Sequence, residues 1–309
     1  MKQPPLLAHC LRALFSTACI SLIFSASQIL AQDTHQKSKD SKDATKAAAP
    51  VALLLTRTTT KHETRSFGYG STLTVIGAPA GSITIEAWPK SELDVTANIE
   101  LQAATEDDLA LLATVNTFRF DDTPNHISVL STGTHDKAFM KRAAKNFPKR
   151  LLGLPWKIDY VIRLPINTDV EVNAGRGPLK LAGVEGAVSI KALESDATLV
   201  LTGGAISTTI GQGTVNVVLA ARSWRGAFAN IQLAKGDLNV TLPMGFNADI
   251  NADILRTGQI ENAYAGALVP RERNLAFTPR SMKARAGAGG ATLAFTVGDG
   301  TLRLKNSDR

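Results

Sequence analysis

Cysteine is almost missing from this 309-residue chain. Both copies, Cys10 and Cys19, lie in a segment read below as a removable signal. The mature chain is therefore predicted to hold no disulfide, no thiolate metal site and no cysteine nucleophile. Histidine is scarce too: beyond residue 31 only His35, His62, His126 and His135 remain, none in an HExxH or similar ligand spacing. Each reads as a surface histidine, and no metal and no cofactor are predicted. Aromatic residues make up 6% of the chain, which argues against sugar recognition by rows of stacked rings. No GxSxG nucleophile elbow is present, and the glycine-rich AGAGG at Ala286 to Gly290 precedes the strand-like ATLAFTV rather than a helix start. A phosphate loop needs that helix start, so the stretch reads as a connection.

Long apolar runs are lacking as well. The longest, Ala13 to Phe24, is about a dozen residues, short of the roughly 20 that a membrane-spanning helix needs. Lys2 and Arg12 before it and small residues after it give the order of a secretory signal, with Ser27 or Ala31 as the last residue removed. Cys19 follows Ser16, Thr17 and Ala18 without the aliphatic residue that a lipoprotein site prefers three back. Export to the periplasm or cell surface is thus expected, with no transmembrane segment after signal removal. Residues 32–50, rich in Lys, Asp, Ser and Ala, carry nothing large and apolar and read as a disordered tether. Losing residues 1–31 takes Lys2 and Arg12 away, leaving 32 basic against 27 acidic residues. A formal +5 spread along the chain does not argue for nucleic acid.

What is present from Val51 onward is alternation. Leu73 and Val75, Ile83 and Ile85, Leu93 and Val95, Ile99 and Leu101 recur at two-residue spacing between Gly77, Gly81 and Pro89. That is the pattern of short strands. One helix interrupts them at TEDDLALLATVNTF, where Thr105 can cap and Glu106, Asp107 and Asp108 fill the first turn. From Trp156 the alternation becomes repetitive, with first apolar positions at Leu179, Val188, Leu199, Ile206, Val215, Ile231 and Leu238, often just after a glycine. Such units are too small to bury their own apolar faces, so they must stack. The expectation is an all-β, β-solenoid-like (β-helix) domain with one short α-helix, and a β-sandwich as the alternative. A single domain is expected over 51–306, with residues 51–165 giving strands, helix and a basic segment and 166–306 giving the repeats.

The segments GSITIEAWPKSELDVTANI, WKIDYVIRLPINTDVEVNAGRGPLKLAGVEGAVSIKAL, FNADINADILRTGQI and GDGTLRLKNS resemble the bacterial putative adhesin family, exported domains of β-strand repeats with no assigned function. The corners depart from that family's pattern, reading Arg-Gly-Pro, Glu-Gly-Ala, Gln-Gly-Thr and Thr-Gly-Gln. The resemblance implies cell-surface adhesion. It brings no catalytic or binding residues with it.

Two stretches stand out as contact candidates. HDKAFMKRAAKNFPKR concentrates Lys137, Lys141, Arg142, Lys145, Lys149 and Arg150 around Phe139, Met140 and Phe147. Contact with an anionic lipid or polymer competes there with a solvated loop whose apolar side faces the core, and the second reading is favoured. ARSWRGAF places Trp224 between Arg222 and Arg225, where an exposed contact residue is expected; Trp156 and Tyr160 are expected in the core. A carbohydrate-active solenoid enzyme, lyase or hydrolase, is the alternative function, and it needs carboxylates converging across adjacent coils. The acids of the repeats are sparse, with Glu185, Glu194, Asp196 and Asp237 at or near corners. Only Asp249 and Asp253, in NADINADI, share an element, and on a strand they stand about 13 Å apart on the polar side. The leading expectation is a non-enzymatic envelope interaction module with an unidentified protein or polysaccharide partner.

Overall fold

Period-two alternation dictates strands, and the computed structural model, which describes residues 54–272 and 276–307, holds 17 of them with two short α-helices and one 3-10 turn. The predicted signal and tether lie outside the described residues. The chain opens with β1 (Leu55–Ser66), β2 (Thr72–Ile76), β3 (Ile83–Trp88) and β4 (Glu92–Ala103). Helix α1 (Glu106–Val115) follows, with the Thr105 side chain accepting from the Asp108 amide and Leu109, Leu112 and Val115 buried, as the sequence predicts. Next come β5 (Thr117–Thr123), β6 (His126–Thr132), a second helix α2 (Lys137–Ala143), a 3-10 turn (Lys149–Leu151) and β7 (Trp156–Pro165). Only one helix was expected outright. The second arises because Asp136 caps it, its carboxylate accepting from the amides of Ala138 and Phe139.

The repeats then run as β8 (Asp169–Arg176), β9 (Leu179–Ala182), β10 (Ala187–Glu194), β11 (Ala197–Leu201), β12 (Gly203–Leu219), β13 (Arg225–Leu242), β14 (Ala248–Ala263), β15 (Leu268–Pro270), β16 (Ser281–Ala286) and β17 (Thr292–Asn306). Their pairings fall into two ladders. Ladder one runs β5, β6, β2, β8, β10, then the first halves of β12, β13, β17 and β14, and ends in β16 and β15. Ladder two runs β1, β4, β7, β3, β9, β11, then the second halves of β12, β13, β17 and β14. Pairing is parallel through the middle of both and antiparallel only toward the ends. Because β12, β13, β14 and β17 each belong to both ladders, all 17 strands form one hydrogen-bonded set.

The bend between the two ladders is built from stacked glycines. Gly81, Gly177, Gly213, Gly236, Gly258 and Gly300 all have positive φ, which a side chain disfavours. Each also lies under a neighbouring strand's backbone: a Cβ on Gly236 would sit 1.9 Å from the Gly213 carbonyl oxygen, and one on Gly300 1.8 Å from that of Gly236. Aspartates reinforce the stacking. Asp169 accepts from the Ala187 amide and Asp196 from the Thr214 amide, each 18 residues on.

Inward side chains of both ladders form one apolar core. Every first apolar position named in the repeats is buried there, from Leu179 at 2% exposure to Val188 and Leu238 at 0%. Burial of a Val, Leu or Ile contributes about 1.5–3 kcal/mol each. Tyr160 is buried as expected, its hydroxyl 2.7 Å from Ser131 Oγ, and burial pushes that hydroxyl's pKa up. Trp156 is half-buried against the same core. At the ladder-two edge, β1 is exposed along most of its length and reads LTRTTTKHETRS. Charges of that density on an edge strand disfavour pairing with another chain.

Candidate functional site

The basic segment is anchored rather than free. Capped α2 buries Met140 beneath it, and Phe147 packs against the core. Arg150 grips Asp108 on α1 with two bonds, Nη1 to Oδ2 at 2.6 Å and Nη2 to Oδ1 at 2.7 Å. That guanidinium holds the Asp108 carboxyl below its usual range. One of the six candidate cations is therefore structural. Lys137, Lys141, Arg142, Lys145 and Lys149 are exposed and have no ion-pair partner among the described residues. Lys145 among them lines a hollow of about 460 Å³ with Leu111, Val115, Phe139, Phe147 and Pro148. This is the favoured loop, with its apolar side down, and it still presents a line of unpaired positive charge.

The corner at Arg222, Trp224 and Arg225 differs from its expectation in one respect. Trp224 is half-buried, packed on the core with Nε1 donating to the Gly204 carbonyl at 3.2 Å. The tight approach of β12 and β13, where Gly226 meets Gly204 backbone, folds the indole down over the turn. Arg222 and Arg225 stay exposed, Arg225 lying 3.6 Å from Glu185.

The carboxylates of the repeats are engaged with neighbouring strands. Glu194 meets Arg176, Asp237 meets Arg303 and the Thr301 amide, Glu261 meets Arg303, and Asp299 meets Arg256 and Thr257. The bond from Arg256, then that from Thr257, pulls the Asp299 carboxyl down to about 2. The NADINADI strand alternates as predicted, with Ile250, Ala252 and Ile254 inward. Asp249 nevertheless leaves the solvent, at 7% exposure. Strand β16 pairs beside β14 with Arg285 opposite Asp249, and the side chains of Arg285 at 3.1 Å and Arg271 at 3.6 Å close on its carboxylate. Asp253 accepts from Ser281 at 2.7 Å. Among the described residues no group of three or more His, Cys, Asp or Glu is placed to hold a metal ion.

The outward faces of the ladders carry different chemistry. On ladder two the side chains satisfy one another: Lys180 with Glu86, Lys157 with Glu100 and Asp159, Arg303 with Glu261, and Asn239 donating to Asn216 at 3.0 Å. The bond and charge of Lys180 hold the Glu86 carboxyl below its usual range. Between its two ends, ladder one from β10 to β17 turns outward one charge, Lys191, and one aliphatic side chain, Leu193, among Ser, Thr, Asn, Gln, Ala and Gly, while Arg225 at one end and Glu194, Lys235 and Asp299 at the bend border it. Pairing aligns Ser189 with Ser207 and Ser207 with Asn230 in one row, and Thr209 with Gln232 and Gln232 with Thr296 in the next. Beside them Phe228 stands 43% exposed at the rim of a hollow of about 320 Å³ floored by Ala187, Ser189, Ala205 and Ser207 and bounded on the β8 side by Asp169 and Glu171. Sequence reading missed this face because its residues come from strands far apart in the chain. The signal would have been the recurrence of short polar residues at the outward positions of successive repeats.

No helix among the described residues is long and apolar enough to cross a membrane. No family model matches the chain, and no curated protein does. Among solved structures it is similar to a putative cell adhesion protein from Clostridium sporogenes ATCC 15579, with 11% identity over 81% of this chain and 100% of the other and a TM-score of 0.43. It is also similar to a putative adhesin from Bacteroides fragilis NCTC 9343, with 10% identity over 81% of this chain and 97% of the other and a TM-score of 0.35.

Proposed function

We propose that this chain is an exported, non-enzymatic β-solenoid that acts as an adhesin-like interaction module in the periplasm or at the cell surface. One observation carries the reading: the carboxylates a solenoid hydrolase or lyase would aim into a groove are bound to arginines, lysines, backbone amides or, for Asp253 and Glu171, hydroxyls of neighbouring strands. A general acid or base must be free to exchange a proton with substrate. Carboxylates held by Arg303, Arg256, Arg285 and Lys180 are instead braces between successive passes of the chain. The solenoid reading is supported by parallel register through the middle of both ladders, by the glycine-stacked bends, and by aspartates that cap amides 18 residues on. Retention of an envelope component on the immobilised chain, with no glycan turnover, is the expected result. Glycan cleavage, lost on Asp237→Asn or Glu261→Gln while the fold persists, would overturn it.

A second reading rests on the five unpaired cations beside the α1–α2 hollow, which suit an anionic lipid or polymer surface. Vesicles rich in anionic lipid should then retain the chain at low salt and release it when Lys141, Arg142 and Lys145 are exchanged for Glu. Retention that survives the exchange rules this reading out.

A further inference from the structure

We propose that the outward face of ladder one, from β10 to β17, binds an extended uncharged polysaccharide laid across the strands. The inference deepens the interaction-module reading and rests on it. Water-facing surfaces normally mix both signs of charge, and the outward face of ladder two follows that rule with its paired acids and bases. Ladder one departs from it over the outward rows of β10, β12, β13 and β17 that lie between Arg225 at one end and Glu194, Lys235 and Asp299 at the bend, with Lys191 as the one charge of those rows. An anionic polymer would find only Lys191 along the rows and would meet Asp169 and Glu171 at the hollow. A purely apolar partner would leave the hydroxyls of Ser189, Ser207 and Thr209 dehydrated and unpaired, at a cost for each, and Asn230 and Gln232 with only the long 3.5 Å bond between them.

A neutral hydroxyl-rich chain meets both conditions. Its hydroxyls exchange bonds with the Ser, Thr, Asn and Gln side chains, whose hydroxyls and amides can donate or accept as the sugar requires. Register places those side chains in straight rows, one per strand, and adjacent strands lie about 4.8 Å apart. That repeat is close to the rise of one sugar in an extended glycan, so successive sugars meet equivalent partners. Small residues keep the floor low: Ala187 and Ala205 line the hollow, and Gly211 lies outward on the next strand position. Phe228 at the rim offers a ring face to the C–H side of a sugar. The scarcity of aromatics therefore excludes rows of stacked rings while leaving this single-ring, hydroxyl-row recognition intact.

The test is affinity electrophoresis of the full chain in native gels cast with soluble uncharged polysaccharides, namely mixed-linkage β-glucan, xyloglucan and galactomannan, with alginate as the charged comparison. Retardation is expected by at least one neutral polymer and not by alginate. Ser207→Arg and Phe228→Ala should each weaken it by about tenfold or more. Asn216→Arg, on the outward face of ladder two, should leave it unchanged. If Ser207→Arg fails to fold by circular dichroism, Thr209→Arg on the adjacent row serves in its place. Retardation by alginate alone, by none of the polymers, or with equal loss on Asn216→Arg overturns the proposal. So does a self-association, seen by sedimentation, that Ser207→Arg abolishes in the absence of glycan retention, because the face would then bind a second copy. An envelope component retained on the immobilised chain despite Ser207→Arg and Phe228→Ala would leave the interaction-module reading standing and remove only this site.

Discussion

The two outward faces come from the same strands, since β12, β13, β14 and β17 each serve both ladders, yet one is closed on itself and the other is open. On ladder two, Asn239 bonds Asn216, Lys180 bonds Glu86 and Arg303 bonds Glu261. On ladder one, Ser189, Ser207 and Thr209 turn outward with no protein partner among the described residues. A face whose polar groups already bond each other gains little from a ligand, because each new bond must replace an old one. A face of short groups bonded only to water can exchange them. The difference separates surface that braces the fold from surface available for recognition.

The strongest way to break the comparison is to destroy the bend that joins the faces. Gly236 has φ +130° and backbone of Gly213 where a Cβ would lie. Gly236→Val combines backbone strain with a clash that no rotamer relieves, and a loss of about 4 kcal/mol or more is expected. Urea unfolding should show both faces lost in one transition, or the variant should be insoluble. A near-native midpoint would mean that the corner relaxes easily.

The next largest effect belongs to the place where the ladder-one face ends. Asp249 sits where Thr292 aligns with it on β17, and there the open surface gives way to a covered ion pair. Asp249→Ala removes a buried carboxylate and leaves Arg285 and Arg271, 48% and 34% exposed, to turn to water. A loss of about 1 kcal/mol is expected, with increased proteolysis between β15 and β16 as the arm loosens. Asp253→Ala removes only a half-buried bond to Ser281 and should cost less. Equal losses from both would show that Asp249's burial carries no special weight.

Asp249 also marks how far the sequence could be read. Period two placed Ile250, Ala252 and Ile254 inward and both acids on the opposite side, which is a local matter of the pleat. Whether that side is wet depends on a cover supplied by β16, a strand that follows about thirty residues later, and no local pattern encodes it. The same division holds elsewhere. Thr105 announced its helix because a cap acts within three residues, and Gly177, Gly213 and Gly258 announced bends because positive φ is a property of one residue. The insertion of β17 between β13 and β14 left no such trace, since pairing register is decided by neighbours across the sheet. Arg150 read as one more surface cation because its partner, Asp108, lies on another helix. Trp224 read as exposed because its flanking arginines are exposed, while the fold turns the indole between them inward. The ladder-one face emerges only when the repeats are stacked in register, and then Ser189, Ser207 and Asn230, unremarkable singly, form a row.

The smallest effect sharpens the comparison from the ladder-two side. Asp237 is held below its usual carboxylate range first by the bond from Arg303; Glu261 is held low first by the bond from Gln259 and then by Arg303. Carboxylates whose folded pKa lies below the unfolded value stabilise the fold above about pH 4, and that contribution disappears as pH falls through the folded value. Asp299, drawn down to about 2, sets the lower end of the window. Thermal midpoints of the native chain should therefore hold steady from neutral pH to about 5 and fall between about pH 4 and 2. Arg303→Gln should lower the neutral-pH midpoint only slightly, because these side chains are half exposed and screened. Its signature is that this small deficit closes as pH falls from about 4 to 2, giving a shallower acid arm, since Asp237 and Glu261 then titrate nearer their unfolded values. Ser207→Arg on the open face should leave that arm untouched, and a parallel flattening there would erase the distinction between the two faces.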